Sequence, residues 1–122
     1  MKLMRIAING FGRIGRIFFR QCFGREGLEI VAINDLSNIE NLAYLLKYDS
    51  VYGRWDKDVS IGASDAQKLI IDDKEILVFS EKDPEKLPWK DLNINVVVEA
   101  TGFFTDSEKA SAHIRAGAKK VL

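Results

Sequence analysis

The sequence lacks the features that would place it in several classes of protein. Lys and Arg together number 18, as do Asp and Glu, so the formal net charge is zero. That balance argues against a nucleic-acid-binding or membrane-surface protein, because both usually carry a basic excess. No apolar run reaches about eighteen residues, so no segment is expected to span a membrane. The N-terminus has no signal-peptide pattern, and we therefore expect a cytoplasmic protein without nucleic-acid or membrane partners.

Cysteine and histidine are scarcer still, with one residue of each, Cys22 and His113. A single cysteine excludes an internal disulfide framework. One cysteine and one histidine give no convincing transition-metal site, so no metal is expected. Cys22 falls on the apolar face of a predicted helix, where a packed, inert thiol is expected rather than a nucleophile. His113 lies late in another predicted helix, and we expect it at the surface or compensating the charge at the helix C-terminus.

What the sequence does contain is an alternation of strand-like and helix-like segments. Residues 3–9 and 28–34 are short apolar runs typical of buried strands. Between them, residues 13–23 change to helical periodicity, and Gly24 is placed to end that helix. One apolar face of this helix is predicted to consist of Ile14, Ile17, Phe18 and Cys22.

Two capping-box patterns predict further helices. An S-x-x-E pattern that begins at Ser37 precedes an apolar run and predicts a helix over about 38–48. A T-x-x-E pattern that begins at Thr105 predicts a helix from 106 to about 116, which Gly117 can end.

The remaining segments complete an α/β pattern. Residues 69–79 predict two strands around a turn at 72–74, and residues 94–100 form another apolar, β-branched strand. Strands and helices in alternation predict a doubly wound, mostly parallel sheet with helices on both faces. In that sheet the hairpin is an antiparallel excursion or edge. The length fits one domain over 1–122. Because "AKKVL" (118–122) begins a strand and stops, we expect an N-terminal portion of a longer protein, truncated before its last strands.

Three glycines are crowded at the end of the first predicted strand, in "NGFGRIGR" (9–16). Gly10, Gly12 and Gly15 have the G-x-G-x-x-G spacing, after a strand and before a helix, that is typical of a dinucleotide-binding loop. The first glycine permits a tight turn, the second lets a pyrophosphate approach the backbone, and the third lets the helix pack on the strand. N–H groups at the helix start attract phosphate oxygens. The alternative is a glycine-rich turn that binds nothing.

An acidic residue follows at the spacing that such a loop requires. The second strand ends in Asn34 and Asp35, and Asp35 lies about 20 residues after the third glycine. A carboxylate there is expected to hydrogen-bond the adenosine ribose of NAD. It would also repel the 2′-phosphate of NADP, so NAD is the predicted cofactor. Alternatively, Asp35 is only a turn residue or helix cap.

The strand at 94–100 leads into Thr101 and Gly102. The fourth parallel strand of such a sheet pairs with the first, and ligands bind outside the carboxyl ends of these two strands. Thr101 and Gly102 would then lie beside the phosphate loop. A simple strand-to-helix turn is the alternative. Arg13, the first of a stripe of arginines, is also placed to contribute at the loop.

Taken together, these segments resemble the glyceraldehyde-3-phosphate dehydrogenases. The signature "NGFGRIGR" is followed, in the family's order, by "INDL", "LLKYDSVYGRW", "EKDP" and "EATGFF", so the resemblance covers the whole chain. It implies an NAD-binding Rossmann domain. The related erythrose-4-phosphate dehydrogenases share the first signature but typically carry Glu at the position of Asp35. Asp35 with Leu36 therefore favours the NAD-dependent glycolytic family.

The resemblance implies cofactor-binding roles position by position. The backbone N–H groups of Arg13 and Ile14 are expected to meet the pyrophosphate, and Asp35 the adenosine ribose. Asn34 and Lys82 are expected toward the adenine. The glycine loop and the cleft wall complete the expected set, which is Gly10, Gly12, Arg13, Ile14, Asn34, Asp35, Lys82, Thr101 and Phe104.

The resemblance also implies what lies outside this chain. The family attacks its aldehyde with a cysteine thiolate from an "SCTTN"-type segment, uses a histidine as base, passes hydride to NAD and releases the acyl group with phosphate. Neither Cys22 nor His113 matches those positions. No catalytic residue is therefore expected within the chain, and we expect no dehydrogenase activity from it alone.

The intact protein is expected to be a homotetramer that takes a small phosphorylated aldehyde and phosphate as substrates, because these are family properties. The segment at 48–53 resembles one that the family uses near subunit contacts. Two other interpretations stay open from the sequence. One is an erythrose-4-phosphate dehydrogenase, and the other is a non-enzymatic NAD(H)-sensing module, which needs the same loop but no catalytic cysteine.

Overall fold

The structure is a computed structural model that describes residues 3–49, 53–62, 67–101 and 107–122. Its elements, in chain order, are β1 (Met4–Asn9), α1 (Arg13–Cys22), β2 (Leu28–Asn34), α2 (Ile39–Lys47), β3 (Tyr48–Asp49), β4 (Gly53–Arg54), β5 (Val59–Ile61), β6 (Lys68–Ile71), β7 (Lys74–Phe79), a 3-10 helix (Pro84–Lys86), β8 (Val96–Glu99), α3 (Ser107–Arg115) and β9 (Lys120–Val121). No helix within these ranges is long and apolar enough to cross a bilayer.

Seven of the described strands form one sheet, in the order β5-β6-β7-β2-β1-β8-β9. The strand β1 pairs in parallel with β2 on one side and with β8 on the other, and β7 and β9 continue the parallel part outward. The strands β5 and β6 add to β7 in antiparallel fashion. The predicted doubly wound, mostly parallel sheet with an antiparallel edge is therefore confirmed.

Apolar side chains cover both faces of this sheet. In β1, Ile6 and Ile8 belong to the cluster that α1 and α2 cover, whereas Ala7 between them belongs to the cluster on the opposite face. This division follows from the two-residue period of a strand. The first cluster contains the fully buried Phe19 of α1, and the second surrounds the fully buried Trp89. The domain thus has two core layers, one on each side of the sheet.

The helix α1 lies where the sequence predicts, and Phe18 and Cys22 of the predicted apolar face pack against the core, but the most deeply buried residues of the helix are not among the four predicted. Ile14, predicted to be apolar core, is 71% exposed, whereas Gly15 and Phe19 are buried. Gly15 sets the rotation of the helix, because a Cβ there would overlap the carbonyl oxygen of Gly10. The position of closest approach must face the strand, and Phe19, four residues later, shares that face. The prediction for Ile14 was wrong because backbone contact, rather than hydrophobicity, orients the first turn.

The pattern at Ser37 located α2 to within one residue, but it named the wrong cap. Asn38 has an extended backbone, and its side-chain oxygen accepts a hydrogen bond from the backbone N–H of Asn41 at 2.7 Å. The N–H of Ser37 instead donates to a carboxylate oxygen of Asp35 at 2.9 Å, so Ser37 belongs to the preceding turn. The similar pattern at Thr105 lies outside the described residues.

The predicted hairpin is confirmed as β6 and β7 around Asp72 and Asp73. Both turn residues have positive φ angles, 46° and 72°, as the two central residues of a type I′ turn require. The carboxylate of Asp72 accepts a hydrogen bond from the N–H of Asp58 at 2.8 Å. The turn precedes β7, which runs parallel to β2. It therefore lies at the amino ends of the parallel strands, opposite to their carboxyl ends. The sequence did not predict β3, β4, β5 or the 3-10 helix.

Candidate functional site

A cleft of about 350 Å³ opens where the parallel strands end. It lies at the point where the strand order reverses. The chain continues from β1 to β2 on one side, and β8, later in the chain, pairs with β1 on the other side. Ligands of doubly wound sheets bind in this crevice. The cleft is lined by Asn9, Gly10, Gly12, Asn34, Asp35, Leu36, Glu81, Lys82, Ala100 and Thr101.

The three glycines at this end of the sheet are each explained by a different physical requirement. Gly10 turns the chain out of β1 with φ of 94°, and a Cβ there would lie 2.7 Å from the backbone nitrogen of Thr101. Gly15 allows α1 to touch the loop, as described above. A Cβ on Gly12 would meet no atom of the described residues within 4 Å, apart from its neighbours in the chain. Packing therefore explains Gly10 and Gly15, and Gly12 borders open space.

The start of α1 has the properties of an anion site. Its N-cap, Gly12, has no side chain to accept the first N–H groups, and the first turn has no acidic residue. Both features leave the positive end of the helix dipole uncompensated by the helix itself. Arg13 and Ile14 occupy that first turn with exposed side chains that do not line the cleft. Contact with a ligand would therefore come from their backbones, as the resemblance implies.

The carboxylate of Asp35 joins the glycine loop to the second strand. One oxygen accepts a hydrogen bond from the N–H of Phe11 at 2.6 Å, and the other accepts from the N–H of Ser37 at 2.9 Å. Asp35 is therefore a turn residue, but it is not the cap of α2. In addition to this structural role, Asp35 lines the cleft. A carboxylate has about four acceptor sites, and these two bonds leave room for ligand hydroxyls.

Asn34 holds the loop after β7 against the cleft. Its side-chain oxygen accepts from the N–H of Glu81 at 2.9 Å, and its amide nitrogen donates to the carbonyl of Glu81 at 2.9 Å and to Asn9 at 2.7 Å. Both amide protons are thus used within the protein. Asn34 lines the cleft as expected, and through Glu81 it fixes the wall that includes Lys82.

The sequence did not predict Asn9, Glu99 or His113 as site residues; Asn9 lines the cleft, and Glu99 and His113 lie beneath it. The carboxylate of Glu99 accepts hydrogen bonds from Asn9 at 2.7 Å and from the hydroxyl of Thr101 at 2.8 Å, and it lies 2.8 Å from Nε2 of His113. Burial acts to raise the pKa of Glu99, but the hydrogen bonds from His113, Asn9 and Thr101 outweigh it and lower that pKa. A charged residue at the end of the apolar run "VVVE" was the available signal.

The expectation for His113 was wrong, because the residue is completely buried rather than at the surface. Its ring stacks on Trp89, and the indole N–H of Trp89 donates to Nδ1 at 3.0 Å. With Glu99 at the other ring nitrogen, both polar atoms of the imidazole have partners, which makes its burial tolerable.

Six of the nine expected cofactor-binding residues line this cleft. Arg13 and Ile14 adjoin it at the start of α1. The ninth, Phe104, lies outside the described residues, as does Gly102. The six are Gly10, Gly12, Asn34, Asp35, Lys82 and Thr101.

The fold and this site define a dinucleotide-binding α/β domain. The chain belongs to the family described as "Glyceraldehyde 3-phosphate dehydrogenase, NAD binding domain", which it matches over residues 4–107, and the cofactor of this domain is NAD.

Curated relatives agree with this assignment. The chain is 54% identical over 120 residues to a glyceraldehyde-3-phosphate dehydrogenase of Clostridium acetobutylicum, covering 98% of this chain and 35% of the relative. It is 53% identical over 121 residues to the enzyme of that name from Mycoplasma pneumoniae, covering 99% and 35%. The chain thus spans about a third of the length of these relatives.

Proposed function

We propose that the intact protein is a phosphorylating glyceraldehyde-3-phosphate dehydrogenase of glycolysis. It would oxidise glyceraldehyde 3-phosphate with NAD and phosphate to 1,3-bisphosphoglycerate, and this chain would supply the NAD-binding domain. One observation supports this proposal most directly. The carboxylate of Asp35 accepts a hydrogen bond from the N–H of Phe11 at 2.6 Å, next to the open space over Gly12. Together they form one cradle for a ribose and a pyrophosphate. The identity of more than half to relatives of that name supports the reaction.

The residues present fit the cofactor. The uncapped first turn of α1 would hold the pyrophosphate through the N–H groups of Arg13 and Ile14, with Gly12 leaving room for it. Asp35 would accept hydrogen bonds from the adenosine ribose hydroxyls. Lys82 would lie toward the adenine, on the wall that Asn34 fixes. NAD, when bound, accepts the hydride of the oxidation, and the role of this chain is to hold and orient it.

The thiol and imidazole of this chain do not form a catalytic pair. Cys22 packs against the cluster that contains Phe19, whereas His113 stacks on Trp89 in the cluster on the other face of the sheet. Burial also raises the pKa of the Cys22 thiol, which disfavours the nucleophilic thiolate. The proposed nucleophile and base would therefore come from the part of the protein beyond this chain.

We also propose that the intact protein is a cytoplasmic homotetramer. Support for an interface comes from Tyr44 and Tyr48, which are 61% and 45% exposed with ring centroids 5.2 Å apart. Tyr48 is the first residue of the segment at 48–53, which resembles a subunit contact of the family. Sedimentation of the intact protein would test the assembly.

The activity is tested by following NADH absorbance with the intact protein, NAD, phosphate and either glyceraldehyde 3-phosphate or erythrose 4-phosphate. We expect turnover with the first aldehyde, far above that with the second, and dependence on phosphate. The 122-residue chain by itself should give no turnover. Preference for erythrose 4-phosphate, or NAD binding with no turnover of either aldehyde, would contradict the proposal.

A further inference from the structure

The hydrogen bonds beneath the cleft have a direction that can be read from their two ends. At one end, the indole nitrogen of Trp89 can only donate, so Nδ1 of His113 must accept. We assign the imidazole proton to Nε2 from this network. Nε2 then donates to Oε1 of Glu99, 2.8 Å away.

At the other end, the backbone of Glu81 sets the direction. Its N–H must donate and its C=O must accept, which fixes the amide of Asn34 with its oxygen toward one and its nitrogen toward the other. The nitrogen of Asn34 therefore donates to Oδ1 of Asn9, and the nitrogen of Asn9 in turn points to Oε1 of Glu99 at 2.7 Å. Both ends of the network thus deliver donors to the same carboxylate oxygen.

The second oxygen of Glu99 receives the hydroxyl of Thr101 at 2.8 Å and the backbone N–H of Thr101 at 3.3 Å. A threonine hydroxyl has one proton. With that proton directed to Glu99, the oxygen of Thr101 meets any further partner as an acceptor. Because Thr101 lines the cleft, the buried hydrogen bonds determine whether this lining residue is a donor or an acceptor.

We propose that Glu99 is a positioning residue that acts through Thr101, making this point of the cleft wall a hydrogen-bond acceptor. A ligand would place a donor there, such as a ribose hydroxyl or an amino group, and a phosphate oxygen would be disfavoured. This inference rests on the proposed function, because it concerns the same NAD cleft. It adds a residue that does not line the cleft itself.

The substitution Glu99→Gln has a forced outcome under this inference. The Gln carbonyl must face the donors of Asn9 and His113, because Trp89 and Glu81 hold those donors in place. Its NH₂ group then faces the hydroxyl and the backbone N–H of Thr101. The hydroxyl must accept from this NH₂ group and turn its proton away from residue 99, and the backbone N–H loses its acceptor. Thr101 would thus no longer be held as an acceptor, while the side chains at both positions keep their size.

The test is a double-mutant cycle on the intact, nucleotide-free protein, with NAD affinity measured by calorimetry. Glu99→Gln should raise the Kd for NAD about tenfold, which corresponds to about 1.4 kcal/mol. Thr101→Val should raise it by a similar factor. When Thr101→Val is already present, adding Glu99→Gln should change the Kd less than about twofold, because the hydroxyl through which it acts is gone and only the longer contact of the backbone N–H, 3.3 Å, is left to lose. Glu75→Gln, at an exposed ion pair with Lys68, is the matched control and should bind as wild type.

Equal tenfold effects of Glu99→Gln in both backgrounds would overturn the inference, as would no effect in either. If Glu99→Gln does not fold, the NAD affinities of Thr101→Ser and Thr101→Val are compared instead. The Ser variant should bind NAD as wild type and the Val variant more weakly, and equal binding by both would overturn the inference. Failure of the wild-type protein to bind NAD would instead contradict the proposed function.

Discussion

Replacing Gly12 by alanine should separate ligand binding from folding. The backbone of Gly12 has φ of −75° and ψ of −161°, an extended conformation that alanine adopts without strain. Within the part of the chain that the structure describes, the added methyl group would meet no atom within 4 Å beyond its chain neighbours. Alanine is a poorer N-cap than glycine by about 0.5 kcal/mol, but it stabilises by about as much through the unfolded chain. We therefore expect the free energy of unfolding to change by less than about 0.5 kcal/mol.

The effect of the same methyl group on NAD should be much larger. It would occupy the space over the loop where we place the pyrophosphate, displacing a charged group from its backbone donors. Hydrogen bonds to charged groups contribute about 1.5–3 kcal/mol. A loss of about 2–3 kcal/mol corresponds to a rise in Kd of about 30- to 150-fold.

Calorimetric titration with NAD and thermal unfolding of the same intact protein samples would measure both quantities. Gly24→Ala is the matched control. At Gly24 φ is 81° and a Cβ would also meet no atom of the described ranges within 4 Å, so alanine there should cost about 1–2 kcal/mol of stability and leave the Kd unchanged. A Gly12→Ala protein that binds NAD as tightly as wild type would refute the placement of the pyrophosphate over this loop.

Three further predictions concern the same domain. Asp35→Asn should lower the preference for NAD over NADP at least about tenfold, because the negative charge that repels the 2′-phosphate is lost. It should also cost about 1–2 kcal/mol of stability, because an amide has one acceptor oxygen in place of two. Titration with each nucleotide and urea unfolding would check this, and an unchanged preference would contradict the assignment. Since the pKa of Glu99 is lowered on folding from its ordinary 4.5, its contribution to stability is present above pH 4.5 and is lost as pH falls below it; urea unfolding against pH should show this loss in wild type and less of it in Glu99→Gln. Ile14→Ser should change stability by less than about 0.5 kcal/mol whereas Phe19→Ala costs about 3–5 kcal/mol; the reverse order in thermal unfolding would mean that α1 buries the other face.

Most of the architecture could be predicted from the sequence, because the predicted elements are encoded by residues close together in the chain. The apolar runs 3–9 and 28–34 are typical of buried strands, and the glycine spacing marks the turn between strand and helix. Asp35 at its fixed distance then located the cleft. These features depend on neighbours in the chain, and sequence displays them directly.

Features that depend on distant backbone could not be predicted in the same way. The rotation of α1 follows from the contact between Gly15 and the carbonyl of Gly10, and a periodicity count that weighs hydrophobicity placed Ile14 inside instead. His113 is buried because Trp89, 24 residues earlier, supplies a donor for it. No local pattern distinguishes such a histidine from one at the surface.

The direction of β7 has a practical consequence for experiments. The tight turn at Asp72 and Asp73 and the cofactor cleft lie at opposite ends of a six-residue strand, about 20 Å apart along its axis. A fluorescent label or short epitope inserted after Asp73 would therefore sit far from any bound nucleotide. It would report on tumbling and assembly of the protein while leaving titrations with NAD undisturbed.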